Sequence, residues 1–376
     1  MGIEVVVLTA MPNYPKMKIF EGYRNDIFSS EVIDGIKVYR SWIYVSKSKS
    51  IVSRLLNYFS FVKSSFFCSI FVREKIDFIL CESPPLFLGI TAYLLSKLKK
   101  AKLIFNVSDL WPESAEKLGL VKNRLLLSMA YKLEKFLYNK SVLVSGQTMG
   151  IVENIKQRFP HKKTYWLKNG VDISLFDATK STSDWREEMK FKDEDFIVYY
   201  GGLMGYAQAI EVILYAAEIL RDKQSIKFVL LGSGPEKEKL LQLKEKLNLS
   251  NVYFFDLVQK KEMPIILNAI DTAIIPLKKL DLFKGAIPSK IFEILAMSKP
   301  ILLGVEGEAK TLFIEQGNAG LAFEPENSKD LAAQILKLQE NKNLSKQYGI
   351  NGNKYVTKNF NRDIIAKDFY NEIIQL

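Results

Sequence analysis

The chain has 376 residues, 48% of them apolar, and a net charge of +11. That is enough for two compact domains with separate cores, and the charge predicts a surface that attracts phosphorylated substrates, nucleic acid or an anionic leaflet. One histidine, His161 in the polar run Pro160-His161-Lys162-Lys163, and two cysteines, Cys68 and Cys81, exclude an ordinary His/Cys zinc site and a Ser-His-Asp hydrolase. Both cysteines lie in apolar surroundings, as buried thiols of a reducing compartment do, and no secretory pattern opens the sequence. A cytoplasmic location is the expectation.

In chain order, short runs rich in Val, Ile and Phe alternate with stretches of helical period, the pattern of repeated βα units on a mainly parallel sheet. Strands are predicted at 4–9, 78–81, 103–106, 141–145 and 165–168. Between the first two lies IVSRLLNYFSFVKSSFFCSIFV, residues 51–72. Arg54, Asn57 and Lys63 interrupt it, so it is not a membrane span. It reads either as an amphipathic core helix or as a helix whose aromatic and basic faces dock on lipid. After the strand at 103–106 comes Asn106-Val107-Ser108-Asp109-Leu110-Trp111-Pro112-Glu113-Ser114. Carboxylates at the carboxyl edge of a parallel sheet face the crevice where ligands bind. Asp109 is placed to polarise an acceptor hydroxyl and Glu113 to orient a sugar, while a plain helix start with Pro112 and Glu113 in its first turn explains Glu113 as well.

The pattern resets after Asn169-Gly170-Val171-Asp172, with strands predicted at 196–200, 227–231, 252–255, 272–276 and 300–304. The polar stretch 177–195 reads as linker and first short helix, putting a boundary near 170–180 between two Rossmann-like halves. Gly201, Gly202 and Gly205 follow the first of these strands and precede a helix expected near Ala209. They fit either a phosphate-binding βα corner or an ordinary tight turn. Later, Ser289 reads as an N-cap that leaves the amides of Lys290, Ile291 and Phe292 free for a diphosphate. Lys290 would neutralise phosphate charge and Glu293 would accept from a ribose diol; an ordinary capped helix accounts for the same residues.

Together these residues resemble the GT4 family of retaining glycosyltransferases, most closely its WbuB-like fucosamine transferase branch of O-antigen, colanic acid and capsule synthesis. The matching segments are Thr9-Ala10-Met11-Pro12-Asn13-Tyr14-Pro15, Ser108 to Ser114, Asn169 to Asp172, Gly232-Ser233-Gly234-Pro235-Glu236, and Ile287 to Glu293 continuing to Gly304-Val305-Glu306-Gly307-Glu308-Ala309. They occur in family order over nearly the whole chain. The resemblance implies an α/β GT-B fold of two Rossmann-like domains facing across a cleft. An acceptor domain would occupy 1–170, a nucleotide-sugar domain 171–358, and a C-terminal helix in 359–376 would cross back to the first domain. It implies a UDP-sugar donor, possibly N-acetylfucosamine-like as the branch prefers, an undecaprenyl-diphosphate-linked saccharide acceptor, no metal or other cofactor, no nucleic-acid partner, and peripheral contact with the inner face of an anionic membrane. Glu293 then matches the ribose-holding second glutamate of the family pair, Asn169 the turn beside the cleft, and Ser289 and Lys290 the helix start under the diphosphate. Asp109 lies near the acceptor-facing group.

Three departures stand beside the matches. Gly285 occupies the position of the first glutamate of the pair. Tyr206 and Gln208 stand where many members carry basic residues, leaving Lys290 or another lysine to meet the diphosphate. The first strand and helix of the family have no counterpart before 4–9, so an unfilled strand position is expected in the first sheet, with two unpaired edges that leave the chain inactive or unstable unless another piece completes it. Other classes of reading are a non-catalytic partner subunit of a transferase and, sharing the fold, a non-hydrolysing sugar-nucleotide epimerase.

Overall fold

The computed structural model describes residues 2–13, 17–46, 48, 51–117, 119, 121–180 and 184–376, the side chains of Ile51, Val52 and Arg54 excepted. Tyr14 and Pro15 of the first matching segment, and 181–183 of the polar linker, lie outside the described residues. The chain divides into two compact units, Met1–Leu167 with Leu376, and Lys168–Gln375. The division falls a few residues ahead of the predicted boundary.

The first unit contains β1 (Val6–Ala10), β2 (Phe28–Ile33), β3 (Ile36–Ser41), α1 (Ile51–Ser69), β4 (Phe78–Ser83), α2 (Leu88–Lys99), β5 (Lys102–Val107), α3 (Glu113–Lys117), α4 (Arg124–Lys140), β6 (Leu143–Gly146), α5 (Met149–Arg158) and β7 (Thr164–Trp166). Its strands form two sheets, β1-β3-β2 and β4-β5-β6-β7, parallel throughout except for the hairpin β2–β3. The hairpin turns on Asp34-Gly35 at φ +50° and +80°, the left-handed pair that a two-residue type I′ turn requires. Among the described residues, β1 pairs only with β3 and β4 only with β5. Val5 and Val7 near one open edge and Leu80 on the other remain exposed. Among the described residues the strands of this unit thus form two separate sheets. α1 packs on β1, β3 and α2, and α2 packs on β4 and β5, so one helical layer serves both sheets. The core of the four-stranded sheet is Leu86, Phe105, Val107, Leu137, Tyr138, Val144 and Ile155 with their neighbours. Cys68 and Cys81 are buried free thiols, and His161 is exposed.

The second unit holds α6 (Trp185–Glu188), β8 (Phe196–Leu203), α7 (Glu211–Ile219), β9 (Ile226–Ser233), α8 (Lys237–Lys246), β10 (Val252–Phe255), α9 (Met263–Ala269), β11 (Thr272–Pro276), α10 (Lys290–Ala296), β12 (Ile301–Gly304), α11 (Glu308–Lys310), β13 (Gly320–Ala322), α12 (Ser328–Glu340), α13 (Lys342–Asn359) and α14 (Arg362–Ile373). The sheet is all parallel in the order β10-β9-β8-β11-β12-β13. Its central strands are buried on both faces, which is why 196–200 and 228–231 read as unbroken apolar runs. The chain winds outward from β8 through β9 to β10, then returns to start the other wing at β11. The carboxyl ends of β8 and β11 therefore flank the topological switch point, the position where open α/β sheets bind ligands.

Candidate functional site

At that switch point β8 ends in Gly201 and Gly202. A Cβ on Gly201 would lie 1.9 Å from the Tyr199 hydroxyl. Gly202, at φ +122°, takes a backbone that L side chains rarely adopt, and a Cβ there would stand 3.2 Å from Lys290 Nζ. The two glycines keep a recess open above the strand end. Its walls are close backbone contacts: a Cβ on Gly232 would meet the Gly202 carbonyl at 1.9 Å and one on Gly234 the Met204 carbonyl at 2.3 Å. The Gly232-Ser233-Gly234 run is needed for that approach.

Lys290 opens α10 and extends its ammonium over the Tyr200 ring, 4.0 Å from the centroid. The residue is half-buried, and among the described residues no hydrogen-bond acceptor or carboxylate pairs with its Nζ. Burial pushes the ammonium down to about 7, opposed by the charge of Glu293. One turn on, Glu293 is ion-paired with Lys260 from the short helical turn after β10, and Lys260 also lies 5.1 Å over the Phe176 ring. The Tyr199 hydroxyl is buried and, among the described residues, has no hydrogen-bond partner; burial and the nearby Glu293 charge raise its pKa. From β11, Lys278 lies 3.1 Å over the Tyr206 ring, and its amide donates to the Ala207 carbonyl at 2.9 Å. Lysines absent from the glycine-rich loop are thus supplied by other segments. Lys260 and Lys278 were not singled out from sequence, because they follow β10 and β11 and reach the site from different strand ends.

Two expectations are corrected. Ser289 is exposed, already in the right-handed helical region, and caps nothing with its side chain. The amides of Ile291 and Phe292 are not free, since they donate to the carbonyls of Pro288 and Ser289 at 3.1 and 3.3 Å. Pro288 and Ser289 continue the helical path backward as a tight turn, so two of the three expected donors are consumed. α7 begins at Glu211, close to the expected start near Ala209, and the amides of Val212 and Ile213 are likewise taken up by the carbonyls of Ala209 and Ile210. What the recess offers an anion is therefore a side-chain ammonium, not a row of helix amides. Gly205, with φ −117°, borders Gln208 rather than Lys290. Asn169 accepts from the Gly170 amide at 2.8 Å, and its turn docks on the start of α14, where Arg362 donates to the Gly170 carbonyl. Gly285 leaves open space where its Cβ would be.

In the first unit the carboxyl edge of β4 and β5 carries a polar network. Glu82 accepts from Asn106 Nδ2 at 2.6 Å and from the Ser108 hydroxyl, and Ser145 donates to Asn106 Oδ1 at 2.7 Å. Asp109 is exposed, its carboxylate held by the Ser114 hydroxyl at 2.9 Å. Glu113 sits in the first turn of α3, paired with Lys117 at 2.6 Å and accepting from Asn154. The helix-start reading of Glu113 is the one its contacts match. Glu82, missed in sequence because it ends an otherwise apolar strand, stands at the same sheet edge as Asp109. An aromatic series, Phe59, Phe87 and Trp111, with successive centroids 4.9 and 5.5 Å apart, borders that edge.

A glycine-opened recess with a half-buried lysine, a carboxylate one turn on and a switch-point position is the arrangement at which folds of the doubly wound α/β class bind ligands. Comparison with known proteins agrees with that class. Residues 181–355 match the family model of glycosyl transferases group 1. WcaI of Escherichia coli (strain K12), named for glycosyl transfer in colanic acid biosynthesis, is 27% identical over 384 residues, covering 99% of this chain and 92% of that protein. The O-antigen chain mannosyltransferase C of Escherichia coli is 22% identical, with 67% and 66% covered. Among solved structures, sucrose-phosphate synthase from Thermosynechococcus elongatus superposes with TM-score 0.75 at 16% identity, covering 100% of this chain and 89% of that one. Anabaena HepE in complex with UDP and glucose gives 0.67 at 16% identity, with 91% and 86% covered. The fold is accordingly α/β of the GT-B type. No group of residues with metal-ligating geometry occurs among the described residues, and none of their helices is long and apolar enough to cross a membrane.

Proposed function

We propose that this chain is a glycosyltransferase of bacterial surface polysaccharide synthesis, moving a sugar from a UDP-sugar to a lipid-linked saccharide with retention of configuration. The observation that carries the donor assignment is Lys290, an ammonium enclosed beside Gly202 without a counter-charge of its own. A diphosphate placed in the recess offsets the cost of burying that charge and takes from it a charge-assisted hydrogen bond. As the sugar leaves, negative charge grows on the diphosphate, so Lys290 stabilises the leaving group, and Lys278 adds a second cation at the mouth. Glu293, held in place by Lys260, is set to accept from the ribose hydroxyls. The glycosyl-transfer names of WcaI and the O-antigen enzyme, and the UDP held by HepE, support the reading. In the first unit, Asp109 and Glu82 at the sheet edge are the groups to receive the acceptor, beside the Phe59–Phe87–Trp111 series.

The divided first sheet favours one second reading, a partner subunit that binds nucleotide without transferring sugar. Calorimetry with UDP, GDP and 2′,3′-dideoxy-UDP tests the donor site. The proposal expects micromolar UDP binding, weakened by Glu293→Ala, and a preference for UDP over the dideoxy analogue that disappears in that variant. Binding of neither nucleotide by the wild-type chain would reject it; UDP binding without turnover of any UDP-sugar in the presence of lipid-linked acceptor would favour the partner subunit.

A further inference from the structure

In the second unit the strands that end at the recess have another opening where they begin. A cavity of about 250 Å³ lies at the amino ends of β8, β11 and β12, with Phe196, Ile270 and Pro300 on its apolar side. Phe196 and Gly202 stand at opposite ends of β8, about 20 Å apart at ~3.3 Å per residue, so this cavity is distinct from the recess. Its walls are fixed by packing. A Cβ on Gly349 of α13 would stand 2.0 Å from the Ser298 carbonyl, and Asn353 donates to the Ala296 carbonyl at 2.6 Å, holding α13 against the end of α10.

The polar groups that line the cavity outnumber the protein acceptors that meet them. Ser345, on the first turns of α13, is only 8% exposed, yet its hydroxyl has no hydrogen-bond partner among the described residues. Ser298, at a left-handed φ of +56°, takes the position after a helix that glycine fills most readily, and its hydroxyl is equally without a partner among them. Lys299 donates to the Asn268 carbonyl at 2.8 Å, which uses one of its three protons. Burial pulls its pKa below the ordinary lysine value, opposed by the charge of Asp271. Lys342 and Lys346, one turn apart and exposed, have no carboxylate within ion-pair distance among the described residues. The carboxylate in the lining, Asp271, is already taken up by Arg186 at 2.7 Å and by the Ile197 amide at 2.7 Å.

We infer that this cavity is a second anion site, taking a small phosphorylated ligand whose phosphate lies among Lys299, Lys342, Lys346 and the hydroxyls of Ser298 and Ser345. Three ammonium groups and two free hydroxyls call for an anion with several oxygens and more than one charge, which a phosphate supplies and a planar carboxylate does not. The start of α13 adds the positive end of its dipole. The volume is below the roughly 300–1,000 Å³ of pockets for drug-sized ligands, so the ligand is smaller than a nucleotide. The inference stands whether or not the recess binds UDP.

The test is thermal melting and calorimetry of the full chain with inorganic phosphate, against sodium chloride at equal ionic strength, with UDP binding measured in parallel. Phosphate should raise the melting temperature where chloride does not, and should do so equally in Lys290→Met, whose recess has lost its ammonium. Ser345→Ala and Ser298→Gly should each weaken phosphate binding about tenfold, because each removes a hydrogen bond to a charged acceptor. In chloride both variants should melt no lower than wild type, since one loses an unpartnered hydroxyl and the other a strained left-handed serine. Lys342→Gln/Lys346→Gln, exposed and screened, should weaken binding by about fivefold. Stabilisation by phosphate no greater than by chloride, its loss in Lys290→Met, or unchanged binding by both serine variants would overturn the inference. So would a Ser345→Ala chain that melts lower in chloride, which would mean that the protein itself satisfies the hydroxyl. UDP binding retained by Ser345→Ala, or phosphate binding retained by a chain that fails to bind UDP, separates this site from the recess.

Discussion

Replacing Lys290 with methionine should make the ligand-free chain more stable and a poorer nucleotide binder at once. The ammonium's pKa falls from 10.5 to about 7 through burial. A depressed lysine pKa means the unfolded chain holds the proton more tightly than the folded one. The associated destabilisation is fully present below about pH 7 and fades as pH rises toward 10.5. At 1.36 kcal/mol per unit the shift sets a ceiling of roughly 5 kcal/mol. Because the residue is only half-buried and solvent screens the charge, about 1–2 kcal/mol is expected. For a unit of this size that raises Tm by about 3–6 °C at pH 7, with the gain shrinking by pH 10. The same substitution removes a charged partner of the diphosphate, an interaction worth about 1.5–3 kcal/mol, so UDP should bind roughly 10- to 100-fold more weakly. Wild-type affinity should fall as pH rises above 7, and that dependence should vanish in the variant. Thermal melts from pH 6.5 to 10, with and without UDP, measure both effects. A methionine variant that melts lower at pH 7, or that binds UDP as wild type does, refutes the assignment.

The Tyr199 hydroxyl offers a related check: Tyr199→Phe removes a buried group without a partner and should stabilise the ligand-free chain by about 1 kcal/mol, read from denaturant midpoints. Gly201→Ala should be strongly destabilising because its Cβ meets that hydroxyl, and adding Tyr199→Phe should recover part of the loss in the double variant. In the first unit, Glu134→Gln leaves Arg158 without its ion-pair partner and should cost about 2–3 kcal/mol, measured by urea unfolding, whereas Glu134→Leu/Arg158→Met should cost less than the single change. The open edges of β1 and β4 predict self-association. Val7→Lys or Leu80→Lys should lower light scattering at constant concentration with little change in Tm, and scattering unaffected by either would rule out edge pairing as its cause.

The sequence by itself determined the alternation of strands and helices, the reset after Asn169, both buried cysteines and the exposed His161. These depend on local period and composition, which survive without knowledge of neighbours. The hairpin at Asp34-Gly35 is marked in the sequence by that dipeptide between two β-prone runs, a strong short-range signal, while polar Glu31 and Lys37 dilute the apolar pattern around it. The sequence likewise anticipated Gly202, Lys290 and Glu293 through their place at strand and helix ends. Only the tertiary structure decided how they are used. Ser289 has the chemistry of a cap, but whether its hydroxyl caps depends on its φ and ψ, which Pro288 and the turn before α10 set. Lys260 and Lys278 follow β10 and β11 while Tyr199 lies in β8, and their approach to Glu293 and the glycine-rich loop follows from the strand order β10-β9-β8-β11, which no local pattern encodes. The division of the first sheet is equally a matter of pairing: β1 and β4 each satisfy one neighbour, and whether their other edges meet is decided by the packing of the helices over them.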